Sequence, residues 1–410
     1  MKYRKFSTAT FAALAVLLTA HHINGREPMQ FDDIWKMGLA SNSSIMIQKA
    51  KIDAARVGAI ASFFSGLPRP ELEIEFPTLL AGDPAVGSIE VRQALSLSGI
   101  FGIDTLIAFD QLGIEEAIVQ KYRGELYTDL RRAYASVIIT GKEIGVAREN
   151  VELFRQLAAR MQMHYQTGKI SRSDVLASAI ELRRAQQEHI GAVSREKIAR
   201  SELNMLIGVS LERTLDLDET ITETERLPEL DRLTNIALHR HPSIRQHALT
   251  HGAAEKSFWK ELLQILPAPF AGIRRTGTET AVIFGATLPL WDFNAKSIAQ
   301  SAGDRTAAEI SLAHARRQAL FDVHRAYLNA SSARQNLETV RNGMTEAQEL
   351  ITAASIRYNE NRIDLYHYLS YIKTANEARL RFYQGIFDYD VTLAELERAL
   401  HTSLRTKEYL

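Results

Sequence analysis

From Leu126 the apolar positions advance by alternating steps of three and four: Leu126, Leu130, Ala133, Val137, Thr140, Ile144, Ala147, Val151, Phe154, Ala158, Met161 and Tyr165. The rhythm returns at Ala319, Val323, Ala326, Ala330, Ala333, Leu337, Val340, Met344, Ala347, Ile351, Ala354 and Tyr358. Only Thr140 is out of character. This is a heptad seam, free of proline, and it predicts two long helices packed as coiled coils over about 104–165 and about 296–358. About 60 residues at ~1.5 Å each make a rod of roughly 90 Å, too long for a compact domain. The many alanines in the seam allow helices to approach closely.

A break follows each rod. Gln166-Thr167-Gly168-Lys169 and Ser171-Arg172-Ser173-Asp174 end the first, where Gly supplies the stop and Ser171 or Ser173 can cap the next helix. In the second copy Asn361 takes the Gly position and Asp364 can cap. Return helices are expected over about 171–207 and about 364–400. The second keeps a strong seam: Leu365, Tyr368, Ile372, Ala375, Phe382, Ile386, Tyr389, Leu393, Leu396 and Leu400. The first is weaker, with Gln186, His189, Glu196 and Arg200 on the equivalent line.

Before each rod the period changes to two. Glu71-Leu72-Glu73-Ile74-Glu75-Phe76 alternates strictly, as do Ile89, Val91, Leu95 and Leu97 against Glu90, Arg92 and Ser96. Val282, Phe284, Ala286, Leu288 and Leu290 repeat the pattern. One apolar face at period two means strands, so hairpins are expected at about 71–97 and about 270–290. Gly82-Asp83-Pro84 reads as a connecting turn.

These correspondences amount to a tandem repeat. At an offset of 193, Asp129-x-x-Arg132-Ala133-Tyr134 falls on Asp322-x-x-Arg325-Ala326-Tyr327, and Tyr165 on Tyr358. At 199, Ser44-Ile45 falls on Ser243-Ile244 and Leu67-Pro68-x-Pro70 on Leu266-Pro267-x-Pro269. Repeat 1 spans 26–208, a linker 209–229, repeat 2 spans 230–402 and a tail 403–410; each unit reads helix, hairpin, long helix, tip, return helix. Four strands cannot close a barrel, since small barrels need about eight. Pooling strands from several copies would remove the open edges.

The first residues change the setting. Lys2, Arg4 and Lys5 precede the apolar run Phe11–Ala20, the layout of a secretory signal over 1–25, with cleavage after Ala20 or near Gly25. The chain has 410 residues, 49 Lys+Arg against 49 Asp+Glu, and no cysteine. Zero net charge argues against a nucleic-acid binder. The lack of cysteine excludes disulfides, thiolate chemistry and a Cys-linked lipid anchor. No Walker loop, dinucleotide loop or HExxH pair is present, so an enzyme is not expected, and no cofactor is implied.

Two constellations could bind ions. His239, His241, His247 and His251 cluster, and His247 and His251 share a helix face at a spacing that suits Zn²⁺ or Cu²⁺. Pro242 interrupts the segment, and a solvated helix start explains it as well. Asp174 could line a cation-attracting mouth, or serve as an N-terminal carboxylate favoured by the helix dipole; both can hold.

The layout resembles the TolC-like outer-membrane efflux proteins, most closely their CzcC-like cation-efflux branch, over essentially the whole mature chain. The resemblance rests on the tandem repeat, on Tyr165-x-x-Gly168-x-Ile170-Ser171-x-x-Asp174-Val175-Leu176, on Leu203-Asn204-x-Leu206-Ile207-Gly208, and on the junctions Gln93–Gly99 and Leu288–Asn294. It implies a mainly α chain with a small β part. In a homotrimer three chains would share one twelve-stranded β-barrel in outer-membrane lipid, above an α-helical tunnel in the periplasm. The tip residues Tyr165, Gly168, Lys169, Asp174, Tyr358, Asn361, Arg362, Asp364 and His367 would map onto the entrance. There a periplasmic adaptor (membrane fusion) protein and an inner-membrane pump of the resistance-nodulation-division type would dock. The implied function is a passive exit duct for divalent metal cations or small toxic compounds. The sequence departs from the family at Asn361 and at His367, which replaces an entrance carboxylate. The competing readings are a periplasmic coiled-coil adaptor and an exported helical scaffold without channel activity.

Overall fold

The computed structural model describes residues 28–63, 71–75, 87–94, 97–219, 227–287, 293–360 and 362–405. The expected export signal over 1–25, the expected turn at Gly82-Asp83-Pro84, Leu67-Pro68-x-Pro70, Phe76, Leu95, Ser96, Leu288, Leu290, Asn361 and the tail beyond 405 lie outside the described residues.

Repeat 1 contains α1 (Phe31–Ser41), α2 (Ser43–Ser62), β1 (Glu71–Glu75), β2 (Ser88–Ala94), a short turn α3 (Leu97–Ile100), α4 (Ile103–Gln166) and α5 (Arg172–Leu206). Repeat 2 contains α6 (Leu230–Arg240), α7 (Pro242–Leu263), β3 (Ala268–Thr276), β4 (Glu279–Thr287), α8 (Ala295–Asn359) and α9 (Leu365–Leu400). The two offsets superimpose these elements almost residue for residue. The helix before each hairpin, however, is broken in two. Asn42 and His241, equivalent in the repeat, adopt nearly the same extended backbone (φ −65°, ψ 123° and 121°). Each accepts hydrogen bonds from the next helix's first amides, Asn42 Oδ1 from Ser44 N at 3.0 Å and His241 Nδ1 from Ser243 N at 3.3 Å. A side-chain cap at that spacing turns one helix into two.

The expected first hairpin ran to about 97, but the strand stops at Ala94 and Leu97 begins a helical turn. Ser98 Oγ donates to Asp104 at 3.1 Å, and Gly102 takes a left-handed φ of 66°, so the chain swings from strand direction into the long helix. The left-handed step favours glycine.

α4 has 64 residues and α8 has 65, each roughly 96 Å long at ~1.5 Å per residue. α5 packs on α4, α4 on α9, and α9 on α8, giving a curtain in the order α5-α4-α9-α8. Nearer the sheet, α2 packs on α4, α4 on α7, and α7 on α8. Lys256 and Lys260 of α7 reach Asp110 and Asp104 of α4 at 2.5 and 2.7 Å.

The seam of α5 does not follow Gln186, His189, Glu196 and Arg200. The buried line is Ser178, Ala185, Ala192, Ala199 and Leu203, mostly at strict seven-residue spacing. Small side chains let α5 lie close to α4, so the burial pattern is heptad while the hydrophobicity pattern is weak.

The core gathers midway along the curtain. Phe31, Trp35, Tyr127 and Tyr134 pack edge to face at 5.5–5.7 Å, around Leu130, Leu203 and Ile207. The linker is part of this belt: Tyr134 Oη donates to the Asp218 carbonyl at 2.6 Å, and Met29 bridges to Leu217. The expected tail is also anchored where it begins. The Arg405 side chain, 2% exposed, pairs with Asp390 and lies 3.5 Å from the fully buried Glu397. Tyr127 Oη donates to Glu397 at 2.9 Å, and Leu404 N donates to its other oxygen at 2.8 Å. Breaking one member of such a buried set costs about 3–5 kcal/mol.

Candidate functional site

The sheet is the first candidate surface. Its order is β1-β2-β3-β4, every neighbour antiparallel. Pairing across strands puts Leu72, Val91, Ile273 and Val282 in one row, and Ile74, Ile89, Arg275 and Thr280 in the next. Ala271 and Phe284 continue that face. It is uncovered: Val282 is 66% exposed and Phe284 80%. The opposite face carries Glu71, Glu73, Glu90, Arg92, Arg274 and Glu279. Arg92 pairs with Glu71 at 2.7 Å and Arg274 with Glu90 at 2.5 Å. A soluble sheet buries its apolar face and wets its polar one. Here the apolar face has no protein cover, the order a lipid-facing strand set requires. Among the described residues, the outer edges of β1 and β4 have no strand partner.

The helical curtain repeats this incompleteness. On α5, Leu176, Ile180, Ile190, Ile198 and Met205 are exposed and fall within an arc of about 80° at ~100° per residue, opposite the small-residue seam. On α8, Ile310, Phe321 and Leu328 form a matching stripe away from its buried line. On α2, Met46, Val57 and Ile60 are likewise exposed. All three helices are edges of the packing order; α2 and α5 border one side and α8 the other.

The tips lie at the far end. α4 closes with Gly168 at φ 73°, while Lys169 N donates to the His164 carbonyl at 2.9 Å. The second tip has the equivalent bond, Arg362 N to the Arg357 carbonyl at 2.8 Å. These are helix-stop bonds that spend the last carbonyls of each rod. The carboxylates are exchanged between copies. In the first, Asp174 stands in the first turn and accepts from Ser171 N at 3.1 Å, while Ser171 Oγ caps. In the second, Asp364 is itself the cap and accepts from His367 N at 2.8 Å and His367 Nδ1 at 2.7 Å. The backbone and side-chain bonds from His367 hold Asp364 below the usual carboxylate range. The second tip thus keeps an acid, three residues earlier than the first.

Tyr165 and Tyr358, equivalent in sequence, part company. Tyr165 is exposed, whereas Tyr358 stacks on Tyr368 with ring centroids 4.4 Å apart and planes 4° from parallel. Burial pushes both hydroxyls of the stacked pair up. Arg160 ties the tips together, donating from Nη1 to Asn359 Oδ1 at 2.7 Å. The sequence does not single out Arg160, and it places Met161 and Tyr368 in the seams rather than at a tip site. Contact between tips depends on the crossing of α4, α8 and α9.

The histidines do not gather. His239 Nδ1 bonds the Asn235 carbonyl at 2.8 Å, and His241 caps α7. His247 and His251 lie half-buried one turn apart on α7. Among the described residues no group of three or more His, Asp or Glu side chains is placed to hold a metal. A two-histidine pair alone is a poor Zn²⁺ site, since structural zinc takes four ligands.

No family model matches the chain, and no curated protein matches it. Solved structures do. A membrane protein from Pseudomonas aeruginosa superimposes with a TM-score of 0.76 at 16% identity, covering 90% of each chain. The CmeC outer membrane channel of Campylobacter jejuni gives 0.75 at 12%, over 90% of this chain and 85% of that one. The open MtrE outer membrane channel of Neisseria gonorrhoeae gives 0.75 at 15%, over 92% and 90%. The chain therefore has the TolC-like fold of these outer-membrane channels along nearly its whole length.

Proposed function

We propose that this chain is the outer-membrane duct of a tripartite efflux system. Three copies close into one tube, a twelve-stranded barrel in outer-membrane lipid above an α-helical tunnel in the periplasm. The observation that carries the reading is the four-stranded sheet with an uncovered apolar face, continuous with a curtain whose edge helices α5 and α8 are also apolar. One chain leaves both levels open, and a ring of copies closes both at once. The similar fold of known outer-membrane channels supports this; no described helix is long and apolar enough to cross a membrane.

The duct does no covalent chemistry. A periplasmic adaptor docks at the tips, and an inner-membrane pump of the resistance-nodulation-division type supplies the energy. The cargo is a small solute, with divalent metal cations favoured. The polar sheet face, turned into the tube, presents Glu71, Glu73, Glu90 and Glu279 against Arg92 and Arg274, which attracts cations. The likeness to the CzcC-like branch rests on the sequence motifs alone.

The test is mass and conductance. Protein extracted from outer membranes in mild detergent should run as a trimer and form pores in planar bilayers. In a salt gradient those pores should pass cations preferentially, and Glu73→Gln with Glu279→Gln should weaken the preference. A soluble monomer from the periplasmic fraction would sink the duct; pores with anion preference would sink the cation cargo.

A further inference from the structure

The two tips of one chain enclose a cavity of about 630 Å³. Its walls are Arg160 on the last turns of α4, Lys169 on the first tip and Arg362 on the second, with Met161, Ile170 and Leu365 supplying apolar surface. The volume suits a few side chains rather than a lone ion.

The geometry points to this cavity as the receptor for an acidic side chain of the periplasmic partner, a glutamate or aspartate presented beside a small apolar residue. The inference rests on the duct reading, which places a partner at the tips, and adds the partner's charge. The cavity is also lined by Asp174 and Asp364, each hydrogen-bonded within its own tip. Asp174 accepts from the amide of Ser171, and the Ser171 hydroxyl donates to the same carboxylate at 2.7 Å. Asp364 is held by the amide and ring of His367. Glu360, outside the cavity, pairs with Arg362 at 3.0 Å. Arg160 is bonded to the neutral Asn359 amide oxygen and has no ion pair among the described residues. Lys169 has no ion pair among the described residues.

Two cations thus face one hollow without a carboxylate committed to either. Arg160 is held in place by Asn359, and the Tyr358–Tyr368 stack stiffens the adjoining wall, so little side-chain order remains to be imposed when a carboxylate enters. Arg offers a fork to a carboxylate and Lys a point charge. The apolar surface between them can take an aliphatic neighbour. Three chains would present three such receptors, and weak sites held on one rigid ring add up through effective concentration.

The test has two arms. In the first, the full chain in detergent is titrated with a fluorescent peptide alternating glutamate and leucine, and with the same peptide carrying glutamine for glutamate. The acidic peptide should bind at least about tenfold more tightly. Arg160→Glu with Lys169→Glu should remove that advantage, and Lys169→Arg should keep it. Equal binding of the two peptides would overturn the inference. Inorganic phosphate displacing the peptide at matched ionic strength would also overturn it, since the cavity would then be a small-anion site. In the second arm, a photo-reactive side chain at Gln166 is cross-linked in cells and the captured segment is sequenced. An acidic segment of a periplasmic protein supports the inference. A captured segment without Asp or Glu overturns it while leaving the duct intact. Capture of no periplasmic protein overturns the inference, while conductance reports separately on the duct.

Discussion

His401 ends α9 in a left-handed conformation, φ 53°, with its ring against Gly124. Burial, with His241 and Arg123 adding repulsion, pushes its imidazole down to about 4, and burial lowers His241 as well. The folded value of His401 lies below the unfolded 6.5, so its contribution to stability is intact above about pH 6.5 and is lost as pH falls toward 4. At pH 5 the shift amounts to about 2 kcal/mol. Denaturant melts of the detergent-solubilised chain at pH 7.5 and pH 5 should show that loss. His401→Asn, which tolerates the left-handed cap, should remove most of it; an unchanged loss would show that other groups set the acid sensitivity. The same scale explains what reading the sequence could not reach. His241 was visible as one of four clustered histidines, but its task as a helix cap depends on Ser243 N lying 3.3 Å away.

At the scale of elements, α5 shows most clearly how a pattern can be legible and misread. Its large apolar residues, Leu176, Ile180, Ile190, Ile198 and Met205, mark the outward face, while Ser178, Ala185, Ala192 and Ala199 mark the buried one. Searching for a seam of bulky residues finds neither line. The two faces make opposite predictions. Ala192→Leu should overfill the contact with α4 and cost about 1–3 kcal/mol in melts of the isolated chain. Ile190→Ser and Ile198→Ser together should leave that stability within about 0.5 kcal/mol, as exposed substitutions do, yet weaken assembly of copies on a sizing column. If Ile190→Ser destabilised the single chain as much as Ala192→Leu, the outward stripe would be packed within the chain. The helix break at Asn42 and His241 belongs here too: Pro242 announced the second break, but nothing as strong announced the first.

At the scale of the whole molecule, the uncovered faces are the decisive property. The apolar sheet face exposes Leu72, Ile74, Ile89, Val91, Ile273, Val282 and Phe284, a surface that water would not leave bare on a monomer. Phe284→Lys in the middle of that band should cost about 2–4 kcal/mol in a bilayer. The measurement is the fraction of protein recovered folded in outer membranes, with Thr276→Lys on the opposite face as the control. Equal recovery of the two variants would mean that Phe284 does not face lipid.

The repeat, the rods, the tips and the strands are legible along the chain, because all of these follow from periods of 3.5 and 2 and from local stop and cap residues that act within a few positions. The offsets of 193 and 199 bring the element bounds of the two copies nearly onto one another. Which face of each element is covered emerges only from long-range packing. It placed the small-residue seam of α5 against α4, and it brought Arg160 to Asn359 across nearly half the chain. It also buried Arg405 of the expected tail against Asp390 and Glu397, and left both edges of sheet and curtain open. These are meetings of residues far apart in the chain, set by packing and charge in three dimensions, and no local period encodes them.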